Sequence, residues 1–347
     1  MSLDAEGVSR RGVTLKEIAR RTGVHVSTVS RVLRQAPPPD GWSDVALKIR
    51  ETARELGYQP NPWAASLRTR RTGVLGAVMP RLTDGVIAKM YQGVQQAAEE
   101  AGYSVLLSSP EDDLVAMKKA INLVVGRYVD GLILSGLRRP GPPFLASLNV
   151  GNTPVLLLSR HADTDLPSVT SDDYEGGRLA ARHLVELGHQ RCGIIAGPKD
   201  ASTASERVAG FLDGLKEAGL RQDRRLIVPS GFGVNGGVEA ARVILGDKDR
   251  PTAIFAINDD AAIGALGVAR DLGITVPTGL SVVGFNDADV SAQLPVPLTS
   301  IRTQPRVMGA TAVHRLLRLM GNEEVGSVKL PVELVVRSST VAPPGVR

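Results

Sequence analysis

The chain has 347 residues with 41 Lys and Arg against 36 Asp and Glu, a length that suggests two or three domains and leaves ample material for a core. No apolar run reaches about eighteen residues, and the first twenty residues hold Asp4, Glu6, Arg10, Arg11, Lys16 and Glu17; neither a membrane span nor a signal peptide is expected, and the protein is expected to be cytoplasmic. The charge is uneven: residues 1–72 carry thirteen bases and seven acids, whereas the other 275 residues are near neutral, so a polyanionic partner is expected for the head alone.

In chain order, TLKEIARRTG (14–23) reads as a first helix. Thr14 is its N-cap and Glu17, three residues on, completes a capping box. Leu15, Ile18 and Ala19 form the apolar stripe, and Gly23 supplies a left-handed stop. After a short turn, VHVSTVSRVL (24–33) would bury Val29, Val32 and Leu33 on one face and turn Val26, Ser27, Ser30 and Arg31 outward. Two short amphipathic helices about a Gly-containing turn predict a helix-turn-helix, with the start of the second helix in the major groove. A third helix follows Ser43, with Val45, Ile49, Ala53 and Leu56 at helical spacing and Gly57 as its stop. Asn61 before Pro62 then opens a helix of barely two turns, too short to be stable without a partner.

Three segments, VTLKEIARRTGVHVSTVSRVL, ELGYQPN and ASLRTRRTGVLGAVMP, together resemble the head of the LacI/GalR family of bacterial transcription regulators. The resemblance implies that Val26, Ser27 and Arg31 touch base edges and that Ser30 helps with a phosphate. Thr14 and Asn61 join the DNA-contacting set. The resemblance further makes 61–72 a hinge helix and linker, with Ala64 facing the minor groove, Leu67 wedged between base pairs and Arg70 on the phosphates. One departure is the loop QAPPPDGWSDVA (35–46), longer than usual, Pro-rich and carrying Trp42, which is expected to pack on the head's own core.

From residue 73 strands and helices alternate. Strand candidates are GVLGAVM, YSVLLSS, GLILSG, PVLLLS, CGIIAG, RLIVPS, TAIFAIN and LSVVGFN. Amphipathic segments such as RLAARHLVELG and AAIGALGVARDLG, each closed by Gly, lie between most of them. Apolar strands linked by helices predict an α/β fold with parallel sheets covered on both faces. Ligands in such sheets bind beyond the carboxyl ends of the strands, so the polar residues there are the candidates: Arg81, Asp84, Ser108, Ser109, Ser135, Ser159, Arg160, Asp172, Asp173, Phe232, Asn258, Asp259, Asn286 and Asp287. The single Cys192 lies in the apolar run RCGIIAG and reads as a buried, inert thiol.

The family resemblance extends over nearly the whole chain, through SDDYEGGRLAARHLVELGHQRCGIIAGP, FAINDDAAIGALGVARDLGITVPTGLSVVGFND and PLTSIRTQP. It implies a helix-turn-helix domain (1–60), the hinge and linker (61–72), and an effector-binding and dimerisation domain (73–347). The last comprises two Rossmann-like subdomains of periplasmic-binding-protein type, roughly 73–170 with 290–304, and 171–289 with 305–347. By the resemblance Arg207 grips the effector, Phe232 stacks on it and Asn258 follows the ligand-facing strand. Arg81, Asp84, Ser159, Arg160, Asp172 and Asn286 complete the effector set. Where relatives carry an Asp that binds sugar hydroxyls this chain has Asn286, and it lacks the aromatics that follow the first strand; with Arg207, Arg160 and Arg81 retained, a sugar acid is as admissible as a sugar, and PRLTDGVIA is somewhat closer to the gluconate-repressor branch.

The implied function is a repressor, homodimeric or tetrameric, on palindromic double-stranded operator DNA and controlled by that effector. A transport-type sugar-binding protein is the alternative, disfavoured by the attached head. An enzyme is not expected: no phosphate loop, metal spacing or nucleophile motif is present, no cofactor or metal is implied, and His189 reads as a helix C-cap.

Overall fold

The structure is a computed structural model that describes residues 13–33, 41–58, 71–138, 144, 147–246 and 249–345. The chain separates into two compact units, residues 1–70 and 71–347. No helix among the described residues is long and apolar enough to cross a membrane.

Among the described residues the head has three helices: α1 (Leu15–Thr22), α2 (Val26–Val32) and α3 (Asp44–Glu55). Gly23 ends α1 at φ 74°, and Thr14 Oγ1 accepts from the Glu17 N–H at 3.4 Å. The capping box is only half made, because the Glu17 carboxylate accepts from Arg20 at 2.6 Å and from Arg21 at 3.4 Å. Ile18, Ala19, Val29, Val32, Ala46, Ile49 and Ala53 form the core, with Trp42 and Leu56 against it. Ala46, and not the expected Val45, is the inward residue at the start of α3; Val45 is 50% exposed.

The second unit holds two six-stranded sheets. The first contains β1 (Val74–Val78), β2 (Ser104–Ser108), β3 (Gly131–Ser135), β4 (Val155–Leu158), β5 (Ser168–Ser171) and β11 (Val328–Leu330), all pairings parallel, in the order β11-β5-β4-β3-β1-β2. The second contains β6 (Cys192–Ile195), β7 (Ile227–Val228), β8 (Ala253–Ala256), β9 (Ser281–Asn286), β10 (Thr299–Arg302) and β12 (Glu333–Val335), in the order β12-β10-β9-β8-β6-β7. Only β12 runs antiparallel, against β10. All eight strands expected from the sequence are present. The four missed, β5, β10, β11 and β12, are short and polar-containing, at three or four residues each.

The helices covering these sheets are α4 (Gly85–Glu100), α5 (Leu114–Val125), α6 (Asp173–Glu186), α7 (Ser202–Glu217), α8 (Val234–Leu245), α9 (Asp259–Asp271) and α10 (Pro305–Met320). Three pairs cross so closely that each helix needs a glycine at the contact: Gly93 with Gly309, Gly177 with Gly210, Gly237 with Gly264. A Cβ at any of the six would strike the backbone carbonyl of the opposite helix.

The subdomain boundaries expected near the C-terminus are exchanged. Segment 290–304 belongs to the second subdomain, since β10 pairs with β9 and β12. Within 305–347, α10 belongs to the first, burying Met308, Ala312, Val313 and Leu316 with Leu75, Ile133 and Leu156. An amphipathic stripe specifies a buried face but not which sheet receives it. The chain therefore crosses between subdomains after β5, after β10 and after β11. These crossings are tied together, with the Asp172 N–H donating to the Leu330 carbonyl at 2.8 Å and Gln304 Nε2 donating to the Pro331 carbonyl at 3.2 Å.

Candidate functional site

In the head, α2 has only seven residues and is capped by His25, whose Nδ1 accepts from the Ser27 N–H at 3.3 Å and lies 2.7 Å from Ser27 Oγ. This N-cap was not foreseen; a His before a Val-Ser pair is a weak capping signal in a sequence. Val29 and Val32 are buried, while Ser27 and Arg31 are exposed, as the helical period requires. Ser30 is half-buried and Thr14 exposed. Val26 departs from the expected outward face, because it is half-buried against the head core. The outward surface is thus narrower than the sequence implies. Asn61, Ala64, Leu67 and Arg70 lie outside the described residues.

In the second unit the carboxyl ends of both sheets face each other across the crossing strands. Arg207 on α7 is 6% exposed; its Nε donates to Asp173 Oδ1 at 2.7 Å, its Nη1 donates to the Ile257 carbonyl at 2.7 Å, and its guanidinium lies 3.8 Å from the Phe285 ring centroid. Burial outweighs the adjacent guanidinium and pushes the Asp173 carboxyl up to about 6. Asn258 caps α9, Oδ1 accepting from the Ala261 N–H at 2.9 Å, and its Nδ2 donates to the Phe232 carbonyl at 2.7 Å. Both ends of that amide are occupied, so Asn258 holds the Phe232 loop. Asp172 and Asp84 likewise serve as N-caps, of α6 and α4.

Phe232, after β7, is the point where the subdomains meet. The guanidinium carbons of Arg81 and Arg160, after β1 and β4, lie 4.7 and 4.9 Å from its ring centroid. Ser159, at φ 70°, turns the chain so that Arg160 points into this contact. Two residues absent from the sequence expectation complete the cluster. Asp112 after β2 lies 3.5 Å from Arg81, 3.5 Å from Arg160 and 3.4 Å from Arg138, which follows β3. Both stand three residues beyond the last candidate positions after their strands, Ser109 and Ser135. Further pairs close the same interface: Arg138 with Asp200 at 3.0 Å, His161 with Glu206 at 2.7 Å, and Lys89 with Asp289.

Asn286 stands apart from this packed group. It adopts φ 103° and lines an open cavity of about 680 Å³ with Gly85, Lys89, Asp287, Arg302 and Pro305. Beneath it Asp259 accepts from Ser300 Oγ at 2.6 Å, the Ala288 N–H at 2.6 Å and Ser291 Oγ at 2.9 Å, and a Cβ on Gly284 would collide with its carboxylate. The candidate effector residues are therefore divided between a packed half, holding Arg81, Arg160, Arg207, Phe232 and Asn258, and an open half at Asn286.

His189 and Cys192 have no part in this site. The His189 ring is buried, with Nδ1 2.8 Å from Thr252 Oγ1 and Nε2 3.0 Å from the Val341 carbonyl. Its backbone N–H, donating to the Leu184 carbonyl, does the helix capping expected of the side chain. Among the described residues no group of His, Cys, Asp and Glu could hold a metal ion.

Comparison with known proteins gives two family matches: the lacI family of bacterial regulatory proteins over residues 14–61 and the periplasmic binding protein-like domain over 181–340. The transcriptional repressor PurR of Photobacterium profundum is 30% identical over 331 residues, covering 94% of this chain and 98% of the relative. The repressor CytR of Escherichia coli K12 is 31% identical over 338 residues, covering 95% and 97%. The crystal structure of the Lac repressor dimer bound to operator and the anti-inducer ONPF superposes with a TM-score of 0.85 at 30% identity, covering 96% of this chain and all of that one. A complex of the regulator CelR with cellobiose matches with a TM-score of 0.73 at 29% identity, covering 94% and 99%.

Proposed function

The chain belongs to the lacI family of bacterial regulatory proteins, and from that premise we propose how its two units divide the task of a DNA-binding transcriptional repressor. The observation that carries the reading is α2, with Val29 and Val32 buried and Ser27 and Arg31 exposed on the opposite side. That face reads base edges, and each head covers so few base pairs that useful affinity requires a dimer on a palindromic site.

The cleft between the subdomains holds the effector, a sugar or sugar acid, with Arg207 and Phe232 on one side and Arg81, Asp84, Ser159 and Arg160 on the other. Ligand closure there shifts the crossing segments, and so biases the hinge residues that join cleft to head. The head also disfavours a transport role, and the buried Asp259 and His189 are bonded into the fold at separate places, so no turnover is expected. The site of action is the cytoplasm, where the DNA is.

The second copy is assigned to a hollow of about 620 Å³ on the second subdomain, lined mostly by apolar side chains including Val234, Ile263, Leu266, Leu294 and Val296. Ile263→Arg should yield a monomer by light scattering while leaving the circular dichroism spectrum unchanged.

Selection of genomic DNA fragments on the immobilised protein, followed by footprinting, tests the main reading. A single palindromic motif lost in a Ser27→Ala, Arg31→Ala double variant is expected. Enrichment that the double variant leaves unchanged would sink it.

A further inference from the structure

The first subdomain puts three guanidinium groups at one sheet edge. Arg81, Arg138 and Arg160 follow β1, β3 and β4, and all three converge within 3.5 Å of the single carboxylate of Asp112. Two other acids touch the rim of the cluster. Asp84 caps α4 with Oδ1, accepting from the Val86 N–H at 3.0 Å, and its Oδ2 lies 3.5 Å from Arg81. Asp200 belongs to the second subdomain, is half-exposed, and reaches only Arg138.

The cluster is short of acceptors. Arg160 is 4% exposed; it lies 3.5 Å from one Asp112 oxygen and donates to the Gly136 carbonyl at 2.6 Å. Burial, together with the repulsion of Arg81 and Arg138, lowers its pKa to about 10 even beside Asp112. Arg81 Nε is buried without a hydrogen bond, and so is Ser135 Oγ at the end of β3. Buried donors in native folds are as a rule paired, so two left open at the ends of the neighbouring strands β1 and β3 mark a place for an acceptor that the chain does not supply.

Phe232 of the second subdomain covers the faces of Arg81 and Arg160. An aromatic face attracts a cation weakly and accepts no in-plane N–H bond, so it shields these groups without saturating their forks. Opening the cleft would withdraw it. Arg207, the arginine that the family resemblance assigns to the effector, is by contrast already paired with Asp173.

We infer that Arg81, Arg138 and Arg160 form an oxyanion subsite, so that the effector carries a carboxylate or phosphate group which these three arginines hold in competition with Asp112. This rests on the cleft being the effector site. Bidentate guanidinium contacts to an oxyanion are short and charge-assisted, whereas a neutral sugar would leave the buried Arg160 facing one carboxylate that it shares with Arg81 and Arg138.

Calorimetry and thermal shift on the full chain with gluconate, glucose 6-phosphate and glucose test it, the two anions separating a carboxylate from a phosphate source. At least one anion should bind ten-fold or more tightly than glucose and weaken as NaCl is raised. Arg138→Gln, at a partly exposed position, should weaken that anion ten-fold or more. Asp112→Asn should tighten it several-fold, a gain that a purely structural role for Asp112 would not produce. Failure of both anions to bind overturns the proposal, as does an anion affinity unchanged by both substitutions. If glucose alone binds and Phe232→Ala abolishes that binding, the oxyanion subsite falls while the cleft reading stands.

Discussion

The guanidinium of Arg50 lies over the ring of Trp42, 4.6 Å from its centroid, and its Nη1 sits 3.5 Å from the carbonyl of Val32, the last residue of α2. The last carbonyls of a helix have no partner within it, and a cation there also meets the negative end of the helix dipole. Trp42, from the unusual loop, thus steadies the cation that holds the far end of α2. Trp42→Ala should destabilise the head by about 1 to 2 kcal/mol, from a lost cation–π contact and lost burial. Thermal unfolding followed by circular dichroism would register this, and Trp42→Phe should recover more than half of the loss.

Arg31 is exposed, so Arg31→Ala should leave stability within about 0.5 kcal/mol. Its effect belongs on DNA: a loss of about 1 to 3 kcal/mol at one base position and a relaxed preference there. Competition binding with operators varied at each position would show it; a uniform loss across all sequences would instead make Arg31 a phosphate contact. Arg70→Ala is expected to give that uniform loss.

Asp259 is buried, and burial raises its carboxyl to about 6 against the three hydrogen bonds it accepts. For an acid raised in the folded state, the protonated form is favoured by folding. Its stabilising contribution is therefore complete below about pH 4 and is lost as pH rises through 6. Asp259→Asn removes that dependence. The stability of the variant relative to the parent should rise between pH 4 and 6.5 by about 2 kcal/mol, most of the value of a two-unit shift. Urea titrations at four pH values would measure the slope; a flat difference would show that Asp259 titrates normally.

Cys192 on β6 is 2% exposed, and burial pushes its thiol up to about 12. Reaction needs thiolate and access, and neither is available in the native state. A thiol reagent at pH 8 should modify the native protein only at its opening rate and the urea-unfolded protein within seconds, at one equivalent per chain.

Much of this molecule was decided by pattern alone. The three head helices follow from an apolar stripe, a cap and a glycine stop, and the eight apolar strands follow from their composition. All of these are local properties, set by the 3.6 and 2.0 periods of backbone geometry. The outward position of Ser27 and Arg31 is local in the same sense.

What only the tertiary structure decided is the partnership of distant segments. Nothing in TSIR or in the stripe of α10 says which sheet each joins, because both cores accept the same side chains; the three crossings settle it, and so exchange 290–304 with much of 305–347. Val26 and Val45 show the same limit on a smaller scale, since a period gives a face but packing sets its width. The effector residues show it most sharply. Post-strand position identified Arg81, Arg160 and Phe232, but Asp112 and Arg138 acquire meaning only when β1, β2, β3 and β4 lie side by side, and the pairing of Arg207 with Asp173 exists only once α6 and α7 cross at Gly177 and Gly210. Charge balance in a buried cluster is a sum over neighbours, and neighbours in space are what a linear sequence leaves unstated.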